Sequence, residues 1–239
     1  MTEFEELEKV SLEDLGTIIE RAKGWKVKVI LIGGYAARAY QKESRRLTKD
    51  IDIITPYEDL TRFTGLLQSL GYRCRKGRFG ELKGEKKING DSIKIDIIAK
   101  EIHDSTTGIH YQLSNETFGN VRVKTIYPFF ERNKEIIAQV IDPEELLVLK
   151  IMTMRGSDHF DALSILSESE LNIKKFIEIC DRAKVRGHIR KQVEGLIGDI
   201  KKGIVREVWE KTSGIKLSFK KEMRLKTSLK TFYDALSMH

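Results

Sequence analysis

The stretch LIGGYAARAYQKESRRLTKDIDIIT, residues 31–55, decides how this chain is read. A β-branched run ends at Ile32, Gly33 and Gly34 break it, and a basic stretch follows. Asp50 and Asp52 then sit one residue apart in a second run of isoleucines. In a strand, side chains i and i+2 share a face, so Asp50 and Asp52 point one way while Ile51 and Ile53 point the other. The alternation recurs in SIKIDIIA, residues 92–99, where Ile93, Ile95 and Ile97 oppose Lys94 and Asp96. Neighbouring strands lie about 4.8 Å apart, so two such strands side by side bring three carboxylates onto one open face of a sheet. Carboxylates that close repel unless a proton or a cation neutralises them. Hard cations such as Mg²⁺ take oxygen ligands, commonly one or two carboxylates plus substrate phosphates. Two such ions about 3.5–4 Å apart can hold the attacking and leaving oxygens of a phosphoryl transfer. The glycine pair, where a strand turns into a helix, lets bare backbone approach a phosphate and offers N–H groups at a helix N-terminus. A Gly-Gly alone is an ordinary turn, and a D-x-D alone is an ordinary surface feature. The constraining combination is strand, GG, helix, strand, DxD, then a further acid on a later strand, and it predicts a nucleoside triphosphate site.

Working outward, residues 12–23 have the spacing of an amphipathic helix ended by Gly24, and 27–32 read as a strand. A helix is expected over 35–41, a strand over 48–55 stopped by Pro56, and a helix over 60–70. Residues 73–88 suit a twisted edge hairpin, and 108–126 suit further short strands. Asp142, Pro143, Glu144 and Glu145 spell a helix start: a capping carboxylate, proline at the first helical position, and acids at the positive end of the dipole. Beyond it the periodicity is helical. The expected organisation is a mixed α/β core over 1–141 and a helical domain over 142–239.

The 239 residues are 40% hydrophobic, enough for a sizeable core. No apolar run approaches the ~18 residues of a membrane span, and the acidic N-terminus lacks the apolar segment of a secretory leader. Cys74 and Cys180 lie far apart without ligand spacing, which fits a reducing, cytoplasmic setting. From Lys174 onward there are 17 Lys and Arg against 8 Asp and Glu, whereas the preceding residues carry 26 against 28. A basic terminal third suggests a polyanionic partner, most simply nucleic acid; a set of solvated helical faces is the plainer reading.

The segments IGGYAARAY, TKDIDII and IKIDII resemble the nucleotidyltransferase core of the DNA polymerase β superfamily. The stretch DPEELLVLKIMTMRGSDHFDAL, residues 142–163, is similar to the abortive-infection, AbiEii-type members, which are toxin-like. The resemblance covers roughly residues 27–166. It implies an α+β fold, a nucleotidyltransferase-type mixed sheet with helices on one face, followed by a C-terminal helical domain. It implies Mg²⁺- or Mn²⁺-dependent transfer of a nucleoside monophosphate from a triphosphate to a hydroxyl on RNA, tRNA or protein, with release of pyrophosphate. Residue by residue, it implies that Gly33 and Gly34 hold the triphosphate and that Asp50 and Asp52 bind metal. By the same resemblance Asp96 would complete the metal site and act as, or position, the base that activates the acceptor hydroxyl. Lys150 contacts nucleotide phosphates, and Asp161 and Asp158 order a pocket on the helical side. A paired antitoxin is a further candidate partner.

From spacing alone, Lys150 shares the apolar side of its helix with Leu147, Ile151 and Met154, so it either snorkels or reaches into a cleft. Asp158 also reads as an N-cap after Gly156, and Arg155 as a helix C-terminal cation. Arg45, Arg46 and Lys49 read as an exposed basic loop or as steering for phosphates. Members of the family often carry Ser or Thr after the glycines; here it is Tyr35, a departure that keeps open a nucleotide- or RNA-binding regulator without turnover. A small-molecule transferase acting on a cationic acceptor fits the basic helical half poorly.

Overall fold

The computed structural model describes residues 3–88, 90–128 and 135–238, with side chains from residue 5 onward. The chain divides into two compact units. The first takes Met1–Ala39, Leu47–Ile102 and Gln112–Ile141; the second takes Tyr40–Arg46, His103–Tyr111 and Asp142–His239. The division at 141/142 stands where the helical periodicity begins. The two short segments donated to the second unit have no signature in the sequence.

In chain order the elements up to residue 141 are α1 (Glu3–Gly24), β1 (Ile30–Ile32), α2 (Gly33–Tyr40), β2 (Ile51–Ile54), α3 (Leu60–Ser69), β3 (Arg73–Lys76), β4 (Leu82–Ile88), β5 (Asp91–Ile98), β6 (Glu101–His103), β7 (His110–Gln112), α4 (Asn115–Gly119), β8 (Val121–Ile126) and β9 (Ile136–Ile141). Seven strands make one mixed sheet in the order β3-β4-β5-β2-β1-β9-β8, and β6 and β7 form a short ladder of their own. β2 runs parallel to β5 and antiparallel to β1. A parallel neighbour needs a crossover, here supplied by α3 and the β3–β4 hairpin. Ile51, Ile53, Ile93, Ile95 and Ile97 are all buried, as the alternation requires. α1 and α3 pack on each other, and α1 lies against the sheet at β5 and β9. Leu15, Ile18, Phe63, Leu66 and Leu67 fill that layer.

Three local expectations change. α1 begins well before residue 12, because Leu7 extends its buried stripe toward the N-terminus. β2 is shorter than 48–55, which leaves Asp50 exposed just ahead of the strand. Within 108–126 a helical turn, α4, interrupts the strands. Ser114 and Thr117 close a reciprocal capping box there, each side-chain oxygen accepting the other's backbone N–H at 3.3 Å, and local capping overrides alternation.

The second unit contains α5 (Pro143–Thr153), α6 (Ser157–Glu168), α7 (Ile173–Arg182), α8 (Arg186–Lys202), α9 (Ile204–Ser213) and α10 (Phe219–Ser237). α5 is buried all round because α6, α7 and α8 surround it. Pro143 stands at its first turn as expected. The Asp142 side chain, however, makes no capping bond and pairs with Lys175 instead. The Phe160–Trp209 and Phe176–Phe232 pairs, with ring centroids 5.2 and 4.7 Å apart, join α6 to α9 and α7 to α10. Among the described residues, no helix is long and apolar enough to cross a membrane.

Candidate active site

Parallel pairing of β2 and β5 sets Asp52 directly opposite Asp96. Register partners on adjacent strands share a sheet face at about 4.8 Å spacing, so the two carboxylates stand side by side on the face that the isoleucines leave. Asp50 lies one residue ahead of β2 and is exposed. Among the described residues, the three do not draw together within 4.8 Å of one another. Asp96 instead holds a cation already: Lys83, its register partner on β4, places Nζ 3.0 Å from Oδ2 and 3.2 Å from Oδ1. Burial pulls the Lys83 ammonium down, but the bond to Asp96 and the charges of Asp96 and Glu81 outweigh it and raise its pKa above the usual lysine value. A hard cation is what this oxygen-only donor set accommodates, and the Lys83 ammonium stands in for part of that charge.

Gly33 lies against Asp52. β1 pairs with β2 so that Ile32 faces Asp52, and Gly33 follows at once as the first residue of α2. Its φ is +67°, and a Cβ there would fall 1.9 Å from Asp52 Oδ2. Only glycine fits, both for the left-handed backbone and for the close approach. The N-terminus of α2, opened by Gly33 and Gly34, therefore sits beside the Asp52 carboxylate, where helix N–H groups favour negative charge.

Tyr35 does not enter this site. It is fully buried, and its hydroxyl donates to Ser11 Oγ at 3.0 Å. Burial is the main cause that pushes its phenol well above the usual range and keeps it neutral. Ser11 in turn donates to the Lys49 carbonyl at 2.6 Å. Glu8, buried and paired with Arg38 of α2, accepts the Thr48 N–H at 3.3 Å. α1 thus ties α2 to the backbone entering β2 and fixes where Asp50 and Asp52 emerge. Nothing periodic in the sequence marks Ser11, Glu8 or Lys83 for these roles.

The remaining candidates gather in the second unit. Lys150 is 6% exposed and places Nζ 2.6 Å from Asp158 and 2.8 Å from Asp161. Arg46 grips Asp161 with two bonds, at 2.8 and 2.7 Å, so it is not an exposed loop cation. Two cations and two acids balance. Burial acts to raise the Asp161 carboxyl, but Lys150 and Arg46 outweigh it and hold it below the usual range. Burial likewise acts to lower the Lys150 ammonium, and Asp161 and Asp158 overcome it. Asp158 lies in the first turn of α6, whose cap position is Gly156, so it serves this cluster rather than a cap. Arg155 approaches Asp104 and Asp158, at 3.9 and 3.7 Å, instead of a helix end. Glu168 accepts the backbone N–H groups of Lys42, Glu43 and Ser44 and pairs with Lys221. Asp161 and Glu168 of α6 therefore anchor segment 40–46, which leads by chain continuity into the acidic strand.

No family model matches the chain, and no curated protein matches it in sequence. Solved structures match it in fold. The solution structure of the antibiotic-resistance factor ANT(2'')-Ia shares 14% identity, with 76% of this chain and 95% of that chain covered and a TM-score of 0.53. The chain has a nucleotidyltransferase-type fold. The lincomycin-bound lincosamide antibiotic adenylyltransferase LnuA aligns over 66% of this chain and 97% of its own, at 19% identity and a TM-score of 0.45. An antigenic nucleotidyltransferase-like protein from Paracoccidioides brasiliensis aligns over 89% and 94%, at 14% identity and a TM-score of 0.47.

Proposed function

We propose that this protein is a divalent-metal-dependent nucleotidyltransferase of the AbiEii-like branch that transfers a nucleoside monophosphate from a triphosphate to a hydroxyl of RNA. The observation that carries the reading is the pairing of Asp52 with Asp96 beside the bare backbone of Gly33. Gly33 and Gly34, at the start of α2, hold the β- and γ-phosphates through backbone N–H groups. Asp50, Asp52 and Asp96 would hold Mg²⁺ or Mn²⁺, which when bound neutralises phosphoryl oxygens and makes the acceptor hydroxyl more acidic. Asp96 orients that hydroxyl and receives its proton. The acceptor oxygen forms its bond to the α-phosphorus as the bond to the bridging oxygen breaks, and pyrophosphate departs on the glycine side. Lys83 holds the Asp96 carboxylate in place between turnovers, its ammonium 3.0 Å from Oδ2. Lys150, Asp158 and Asp161 act in this reading by fixing segment 40–46 rather than by touching phosphate.

RNA is preferred as acceptor because of the basic surplus after residue 174 and the basic β3–β4 hairpin, which supply sequence-independent affinity for phosphates. The test is incubation of the protein with each labelled triphosphate, Mg²⁺ and total RNA, with protein and aminoglycoside acceptors in parallel. RNA labelling that is lost on chelation and in Asp52→Asn is the expected result; labelling of another acceptor alone would overturn the choice of RNA. A second reading, a nucleotide-binding regulator without turnover, draws on Lys83 holding Asp96 as a cation would. It requires triphosphate binding with no pyrophosphate release from any acceptor.

A further inference from the structure

A cavity of about 230 Å³ opens in the first unit where β2 and β5 end and the β3–β4 hairpin turns. Its walls include Tyr57, Phe79, Lys76, Lys100, Glu81 and Ile98. Ile98 is two residues beyond Asp96, so it shares that sheet face about 6.6 Å further along the strand. Glu81 lies likewise two residues before Lys83, 3.6 Å from its ammonium. The cavity therefore continues the acidic face rather than opening elsewhere on the sheet. Tyr57 and Phe79 are 59% and 40% exposed, and Lys100 rests 4.0 Å from the centre of the Tyr57 ring. The hairpin that carries Phe79, residues 73–88, has seven Lys and Arg against two Glu.

The order across the sheet gives this cavity a role. Starting from the glycine turn on β1, the face passes Asp52 on β2, Asp96 on β5 and Lys83 on β4, and then reaches the cavity at the far end. An in-line displacement puts the leaving group and the nucleophile on opposite sides of the reacting phosphorus. With pyrophosphate at the glycines, the acceptor enters from the side of Asp96 and Lys83. The geometry points to this cavity as the subsite for the 3′-terminal nucleotide of an RNA acceptor. Tyr57 and Phe79 stack its base, and Lys76 and Lys100 meet the phosphate behind it. Aromatic platforms beside lysines are how single strands are held without sequence preference. The assignment rests on the nucleotidyltransferase reading for the direction of entry, while the binding site itself can be tested without turnover.

The experiment uses a single-stranded RNA oligonucleotide labelled at its 5′ end, with its affinity read by fluorescence anisotropy on the full chain, and triphosphate affinity measured separately. Phe79→Ala and Tyr57→Ala, both at exposed positions, are checked for unchanged melting. Each is expected to weaken oligonucleotide binding roughly tenfold while leaving triphosphate binding unchanged. An oligonucleotide ending in an abasic residue should bind wild type as weakly as the intact one binds Phe79→Ala. Equal binding by wild type and both variants overturns the subsite. So does a loss confined to the triphosphate, which would place the donor base in the cavity. If the wild-type protein transfers nothing to any acceptor yet shows the expected losses, the transferase reading fails and the RNA subsite stands.

Discussion

Gly33 is the residue on which the site turns. Gly33→Ala forces a non-glycine residue into the left-handed region, at a cost of about 1–3 kcal/mol. It also drives a Cβ into the carboxylate of Asp52. The expected outcome is a lower melting temperature together with loss of triphosphate binding, measured by thermal unfolding and calorimetry; an unaltered affinity would remove the glycines from the phosphate site. Asp96→Asn keeps the size of the side chain and removes the proton acceptor, so transfer should fall about a hundredfold or more with melting little changed. Lys83→Met removes the ammonium that competes for Asp96, so the Mg²⁺ concentration giving half-maximal transfer should fall, as read from a metal titration of initial rates. The two aspartates and the glycines stood out in the sequence because strand alternation is a local pattern. Lys83 did not, since one lysine among many in a basic hairpin carries no mark of its cross-strand partner.

At the scale of elements, α1 and α6 work as braces. Arg38→Ala leaves Glu8 buried without its ion-pair partner on α2, which should destabilise the protein by about 3–5 kcal/mol in urea unfolding. On α6, Asp161 and Glu168 both titrate below their usual range in the folded protein. Burial is the largest influence on each and acts upward, but the cations and N–H groups they hold outweigh it. A depressed folded pKa contributes stability that is fully present above the unfolded value, about 4 for a carboxylate, and lost as pH falls through the folded one. Unfolding free energy should therefore drop below about pH 4. Asp161→Asn should be less stable at neutral pH and show a flatter acid limb, measured by urea unfolding from pH 3 to 7. The helix over residues 157–168 was legible only as a helix; its service to segment 40–46 joins residues more than a hundred positions apart.

At the scale of the molecule, positive charge is spread over two places rather than one. The surplus after residue 174 was visible by counting, and the strands at 73–88 were visible as an edge hairpin. That the hairpin's charges border the acidic face emerged only from the sheet order. Neutralising Arg75, Lys76 and Arg78, all exposed, should reduce the slope of log affinity against log salt for RNA by about 0.7 for each charge that meets a single-stranded phosphate. An unchanged slope would leave the helical half as the RNA-binding surface.

The sequence by itself determined the strand and helix types, the strand-borne acids and the glycine turn, because periods of 2 and 3.6 and turn chemistry act over a few residues. The helix start at Pro143 was legible for the same reason. Only the tertiary structure decided that Asp52 faces Asp96, that Lys83 neutralises one of them, that Tyr35 turns inward, and that Lys150 is enclosed by acids. Those outcomes depend on strand register and on charge pairs across long stretches of chain. An ion pair stabilises whichever opposite charge folding brings near, so its identity is written in no local pattern.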